Sequence, residues 1–139
     1  MVLSQGTLEF RTSPKSFLDI TKEVQNFVSE SNIQNGVCNL FIKHTSASLV
    51  IQENYDPSVR KDFETIFSKL APEDFPYVHN MEGKDDMPAH IRSALTSTSE
   101  TIPVVNGILS LGTWQGIYVW EHRDQSHNRN LIISVIGQS

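Results

Sequence analysis

Histidine, aspartate and glutamate crowd one stretch of the chain, His79-Asn80-Met81-Glu82-Gly83-Lys84-Asp85-Asp86-Met87-Pro88-Ala89-His90. If a helix begins near Met87, Asp86 stands at its N-cap and His90 lies four residues on. That spacing puts both side chains on one face, where they can meet at one ion. His79, on the incoming loop, can fold over the same point. A plain capped helix after a solvated loop accounts for Asp86 but not for two histidines. A second cluster, His44-Thr45-Ser46-Ala47-Ser48, follows a strand whose Cys38, Leu40 and Ile42 share a face that His44 continues. A histidine there reads either as a hydrogen-bonded core residue or as a ligand. The small hydroxyl residues Thr45, Ser46 and Ser48 can offer side-chain and backbone donors to an anion. The third cluster is Gly112-Thr113-Trp114-Gln115-Gly116, followed by Trp120-Glu121-His122-Arg123. Trp114 can stack on a flat ring and Gln115 can bond its edge. Core packing and turn geometry are the alternatives for Trp114 and its flanking glycines.

Several chemistries are missing. There is no P-loop, no Gly-x-Gly-x-x-Gly, no Gly-x-Ser-x-Gly elbow and no His-Glu-x-x-His. Cys38 is the only cysteine, which excludes an intrachain disulfide and a multi-cysteine zinc site. It lies mid-strand among apolar residues, a poor place for a nucleophile. Sixteen acidic against eleven basic residues give a net charge of −5. A duplex binder needs a basic stripe to displace counterions, so nucleic acid is not the expected partner. No apolar run approaches the roughly 20 residues that span a bilayer, so no membrane partner is expected either. The opening MVLSQGTLEF lacks the basic and apolar regions of a secretory leader. With a single thiol, a reducing, cytoplasmic setting is the expectation.

The 139 residues make one domain, 1–139, and must position these clusters with a short list of elements. Residues 5–11 alternate as a strand. Phe17, Ile20, Val24, Phe27 and Val28 recur at helical spacing, predicting a helix over about 16–31 with Asp19 or Thr21 as its cap and Asn35-Gly36 past its end. Strands are expected at 37–43 and 49–52. Asp56-Pro57 starts a second long helix, because the carboxylate caps free N–H groups and proline fits the first position. Val59, Phe63, Ile66, Phe67 and Leu70 form its apolar stripe, and Pro72 and Pro76 end it. A short helix is predicted over 88–95. The strands expected at 101–105, 108–111, 117–121 and 131–136 read as an antiparallel meander, with Asn106-Gly107 as a type I′ hairpin turn. The fold class is α+β: a mostly antiparallel sheet covered by two long helices and one short one.

The stretches LFIKHTSASLVIQENYDPSVRKDFE, YVHNMEGKDDMPAHIRSAL and IPVVNGILSLGTWQGIYVWEHR together resemble the YjbQ-like family, known as secondary thiamine-phosphate synthases. The similarity spans about residues 5–137. It implies a compact α+β subunit, usually trimeric. It also implies an ability to join hydroxymethylpyrimidine diphosphate to thiazole phosphate with release of pyrophosphate. Arg129 is the candidate for the basic residue that follows the Gly-Thr-Trp-Gln strand in that family. Such a coupling needs cations on the leaving group and an aromatic surface for the pyrimidine.

The expected site therefore takes His44, Asp86 and Glu121 as catalytic residues. His44, His79 and His90 are the expected ligands of a divalent metal, zinc or magnesium. Three histidines suit zinc better, since magnesium prefers carboxylates and water. Thr45, Ser46, Ser48, Trp114, Gln115 and Arg129 would bind a small phosphorylated substrate, with Trp114 and Gln115 forming the wall opposite the metal. Lys43 and Arg123 are further phosphate candidates. Glu53, Asp85 or Glu121 would fix the imidazole tautomers. Two other readings stay open: a His-coordinated metal hydrolase or lyase with another substrate, and a non-catalytic binding or structural trimer.

Overall fold

The computed structural model describes every residue from Met1 to Ser139. Along the chain the elements are β1 (Val2–Arg11), β2 (Phe17–Asp19), α1 (Thr21–Ser31), β3 (Asn35–Ile42), β4 (Ala47–Glu53), α2 (Pro57–Leu70), α3 (Asp86–Leu95), β5 (Ser99–Val105), β6 (Ile108–Leu109), β7 (Gln115–Glu121) and β8 (Asn128–Gln138). Two antiparallel sheets result, one ordered β1-β8-β3-β5-β6 and the other β2-β7-β4. Inward residues of the first sheet, Cys38, Leu40, Ile42, Ile102, Val104, Leu131, Ile133 and Val135, close on Leu49, Ile117 and Val119 of the second and on Val24 and Val28 of α1. The α+β class stands. No helix is long and apolar enough to cross a membrane.

Local signals hold where the chemistry is local. Asp56 caps α2 by accepting the Ser58 N–H at 3.0 Å, with Pro57 in the first turn. Asn106 and Gly107 take φ of 52° and 77°, the positive pair that the β5–β6 hairpin requires. The expected first helix is shorter at its start: Phe17–Asp19 is strand β2, drawn off by pairing with Trp120, Val119 and Tyr118. Asp19 Oδ1 still accepts from the Thr21 N–H at 2.9 Å. The helix ends at Asn32 in the left-handed region, so that Asn35-Gly36 opens β3.

The expected C-terminal meander does not form. β7 leaves the hairpin for the other sheet, between β2 and β4, and β8 crosses back to lie between β1 and β3. The reason is burial on both faces: β7 is buried from Gly116 to Glu121, which only a central strand can achieve. The α2 stripe is also only partly covered. Phe63 and Phe67 meet the Trp120 ring edge-on at 6.4 and 4.8 Å, while Ile66 and Leu70 stay more than half exposed.

Candidate functional site

The start of α3 carries two buried carboxylates: Asp85 takes the N-cap position expected for Asp86, and Asp86 opens the first turn. Burying such groups is costly without cationic partners, and Arg123, just past β7, supplies one. Its Nε donates to Asp85 Oδ2 at 2.8 Å, its Nη1 lies 2.9 Å from Asp86 Oδ1, and its Nη2 donates to the Glu82 carbonyl at 2.9 Å. Burial pushes the Asp85 carboxyl up, but the Arg123 and Asp124 N–H bonds prevail and hold it at about 2. Arg123 is thus a clamp on the acidic pair and is not free for a phosphate.

The clamp leaves Asp86 Oδ2 to the histidines. His79 Nε2 stands 2.7 Å from it and His90 Nε2 3.3 Å, and Glu82 Oε2 is 3.2 Å from His79 Nε2. One ligand atom from each of His79, Asp86 and His90 lies within 4.8 Å of the others. Ligands on a tetrahedral ion with ~2 Å bonds stand about 3.3 Å apart, so small side-chain movements would close these three around one ion. The other nitrogen of His90 sets its tautomer. His90 Nδ1 is 2.8 Å from the Thr45 carbonyl, which can only accept, so Nδ1 carries the proton. Nε2 then faces a carboxylate oxygen, and either a ring proton or a metal ion can stand between them.

His44 does not join this set. It lies in the loop after β3, half-buried, and its Nε2 accepts the Asn130 backbone N–H at 2.8 Å. With that lone pair taken, Nδ1 must hold the ring proton, so neither nitrogen is available to a metal. Burial, then the nearby Arg129 charge, lowers the His44 pKa and keeps the ring neutral. Of the expected His44, His79 and His90, the fold brings only His79 and His90 together, with Asp86 as the third converging donor.

Glu121 and Arg129 form a buried pair beneath His44. The carboxylate accepts from Arg129 Nε at 2.8 Å, from Arg129 Nη2, from Thr12 Oγ1 at 2.6 Å and from the Arg123 N–H at 3.1 Å. Burial raises the Glu121 pKa, but these bonds outweigh it and the net direction is down. Glu121 is fully enclosed, so the catalytic role expected for it has no path to a substrate, and its observable task is to hold Arg129. Arg129 Nη2 also donates to the Ser46 carbonyl and to Ser46 Oγ, at 3.2 and 3.1 Å.

Of the remaining candidates, Thr45 is exposed and lines a cleft of about 250 Å³ with His44, His90, Ser93, Ala94 and Thr98. Ser48 turns inward instead: its hydroxyl is 2.8 Å from His122 Nε2, and both residues are buried. Burial, reinforced by Arg92 and Arg129, lowers His122 to about 3, so it is a neutral core histidine. Gln115 opens β7 opposite Glu53, whereas Glu121 ends it opposite Ala47. Six residues of strand separate them by about 20 Å. Trp114, exposed and edge-on to Tyr55 at 5.2 Å, shares that far end. Within one chain, Trp114 and Gln115 therefore do not form the wall opposite the histidines. Glu53 is also spent locally, its carboxylate accepting the Tyr55 and Asp56 N–H groups.

Sequence reasoning missed two positioning groups, the Arg123 clamp and the Asn130 N–H that fixes His44. Neither has a spacing signal, since each contact joins residues about 40 or more positions apart.

Comparison with known proteins agrees with this fold throughout the chain. Residues 6–138 match the family model described as "UPF0047 protein YjbQ-like". A UPF0047 protein of Synechocystis is 52% identical over 96% of this chain and 92% of its own length. YjbQ of Salmonella typhimurium is 42% identical over 96% of this chain and 98% of its own. A solved YjbQ/UPF0047 structure from Clostridium acetobutylicum superposes with a TM-score of 0.86 at 37% identity, covering 94% of this chain and 98% of that one. The structure of a hypothetical protein from Aeropyrum pernix gives a TM-score of 0.88 at 29% identity, over 97% and 99% of the two chains. The chain belongs to the YjbQ-like UPF0047 family.

Proposed function

We propose that this protein is a metal-dependent enzyme acting on a small phosphorylated molecule, with His79, Asp86 and His90 as the metal ligands. The carrying observation is His90 Nε2 facing Asp86 Oδ2 at 3.3 Å, with His79 Nε2 beside the same oxygen. A proton on His90 or a metal ion can fill that position, and three converging donors favour the metal. A bound ion would act as a Lewis acid on a phosphate or pyrophosphate oxygen. Arg123 holds Asp86 oriented for this, and the Thr45 carbonyl keeps His90 turned with its Nε2 inward.

The reaction we assign first is thiamine-phosphate synthase-like coupling, on the resemblance of the three motif stretches. The ligand set gives weight to a second reading. Two imidazoles and one carboxylate are the donors of hydrolytic zinc sites, and magnesium would prefer more oxygen. A His-coordinated hydrolase or lyase acting on another phosphorylated substrate therefore stands beside the synthase. We also propose a homotrimer. Leu3, Ile136 and Val37 lie directly across from one another on the outer face of the larger sheet, and Val105 and Phe41 extend the same exposed apolar face. Trp114 and Gln115 can serve this cleft only from a second chain. The buried, reduced Cys38 suits a cytoplasmic setting.

The test is metal analysis and zinc titration of the protein and of His90→Ala, followed by assay with hydroxymethylpyrimidine diphosphate and thiazole phosphate. Zinc binding lost in the variant, with folding intact, is the expected result. No metal uptake by the parent protein would mean that a proton occupies the position and would end the metal reading. Metal-dependent phosphoester hydrolysis without thiamine phosphate would select the hydrolase. Bound metal without turnover of any phosphorylated substrate would leave a binding module.

A further inference from the structure

We propose that His44 and Arg129 form a two-donor seat for one oxygen of a phosphate group, in the cleft beside the His79–Asp86–His90 site. This deepens the metal-enzyme reading and rests on it for the substrate's presence there. His44 thereby changes role, from metal ligand to neutral hydrogen-bond donor.

The argument is one of proton accounting. A backbone N–H can only donate, so the 2.8 Å contact from Asn130 makes His44 Nε2 an acceptor and places the ring proton on Nδ1. Arg129 Nη1 lies 3.4 Å from that Nδ1. Both atoms are donors, so this contact is not a hydrogen bond. Arg129 is otherwise fully used: Nε goes to Glu121, and Nη2 goes to Glu121 and to the carbonyl and hydroxyl of Ser46. Only Nη1 has no acceptor, although Arg129 is 96% buried. Buried donors rarely go unpaired. The two nitrogens lie close enough that one oxygen about 2.8 Å from each would serve as their shared acceptor.

The surroundings favour a phosphate over a carboxylate. Ser46 Oγ accepts from Arg129, so its own proton is left to donate. The Thr45 side chain is exposed at the cleft. A tetrahedral anion has further oxygens for these hydroxyls, and a carboxylate has only one. Glu121 cancels most of the Arg129 charge, so the seat orients an anion more than it attracts one. The attraction falls to the metal, and phosphate should bind more tightly to zinc-loaded protein. The depressed His44 pKa fits this role, because the ring donates while neutral.

The test uses the full chain. Imidazole ¹⁵N spectra should show His44 protonated at Nδ1 and bare at Nε2, with zinc moving the His79 and His90 signals and not those of His44. Titrating inorganic phosphate into zinc-loaded protein should move the His44 Nδ1–H resonance, and acetate should bind more weakly. His44→Gln should weaken phosphate binding by about ten- to a hundredfold, the loss of a hydrogen bond to a charged group, and leave zinc affinity unchanged. A proton on His44 Nε2, zinc ligation by His44, an unmoved resonance in phosphate, or acetate binding as tightly as phosphate would each overturn the seat. Absence of zinc binding would fail the metal reading alone. Phosphate at higher concentration on the zinc-free protein then decides the seat by the same resonance, whether or not His44→Gln folds.

Discussion

Replacing Arg129 by Met leaves the Glu121 carboxylate enclosed without its cation. In the intact protein Glu121 is fully buried and Arg129 is 4% exposed, with two guanidinium nitrogens on the two carboxylate oxygens. Thr12 Oγ1 and the Arg123 N–H remain, but neither carries charge. Breaking a buried pair from one side costs about 3–5 kcal/mol, which for a domain of this size lowers Tm by roughly 10–20 °C. The pH dependence sharpens the expectation. The Glu121 pKa is held below its ordinary value, so the pair adds stability that is complete above pH 4.5 and fades as pH falls through the folded-state value. In Arg129→Met, burial prevails and the folded-state pKa rises above the unfolded one. The deficit should therefore be largest near neutral pH and shrink towards pH 5, as the stranded carboxyl takes up a proton. Urea unfolding followed by tryptophan fluorescence at the two pH values measures both effects. The double variant Arg129→Met/Glu121→Gln should recover at least half of the loss, since neither position then holds a buried charge. A single-variant cost under about 1 kcal/mol, or a deficit that grows on acidification, would refute the reasoning.

Three further outcomes follow from particular contacts. Gly36 faces Gly137 across the β3–β8 pair, and a Cβ on Gly36 would stand 2.0 Å from the Ile136 carbonyl oxygen. Gly36→Ala should destabilise by about 1–3 kcal/mol or more in chemical denaturation, with little change in the unfolded spectrum. Asp85, held at about 2 against an ordinary 3.8, contributes stability present at neutral pH and lost as pH falls from about 4 to about 2. Asp85→Asn should flatten that acid limb in a series of thermal melts. Burial pushes the Cys38 thiol up to about 12, so it should resist an aromatic disulfide reagent at pH 8 until urea unfolds the chain.

Where a feature depends on neighbours within four residues, the sequence was enough. Asp56-Pro57 announced α2 and its cap because capping is a contact between residues two apart. Asn106-Gly107 announced the hairpin because only such residues accept two successive positive φ values. Asp86 and His90 were legible as partners because i and i+4 share a helix face, and His79 lay close enough in sequence to reach them.

Tertiary structure decided the rest, through contacts that carry no periodic mark. Nothing in residues 115–121 says that they will lie between β2 and β4, because their apolar run fits any central strand. Phe17–Asp19 became a strand despite helical spacing, since pairing with β7 satisfied its backbone there. His44 looked like a ligand by residue type, and only the Asn130 N–H, 86 positions away, fixed its proton and removed it from the metal set. Glu121 looked catalytic in sequence and proved to be the enclosed counter-charge of Arg129, eight residues on. A side chain's type limits what it can do, but its lone pairs and protons are assigned by whichever distant backbone or charge the fold sets beside it.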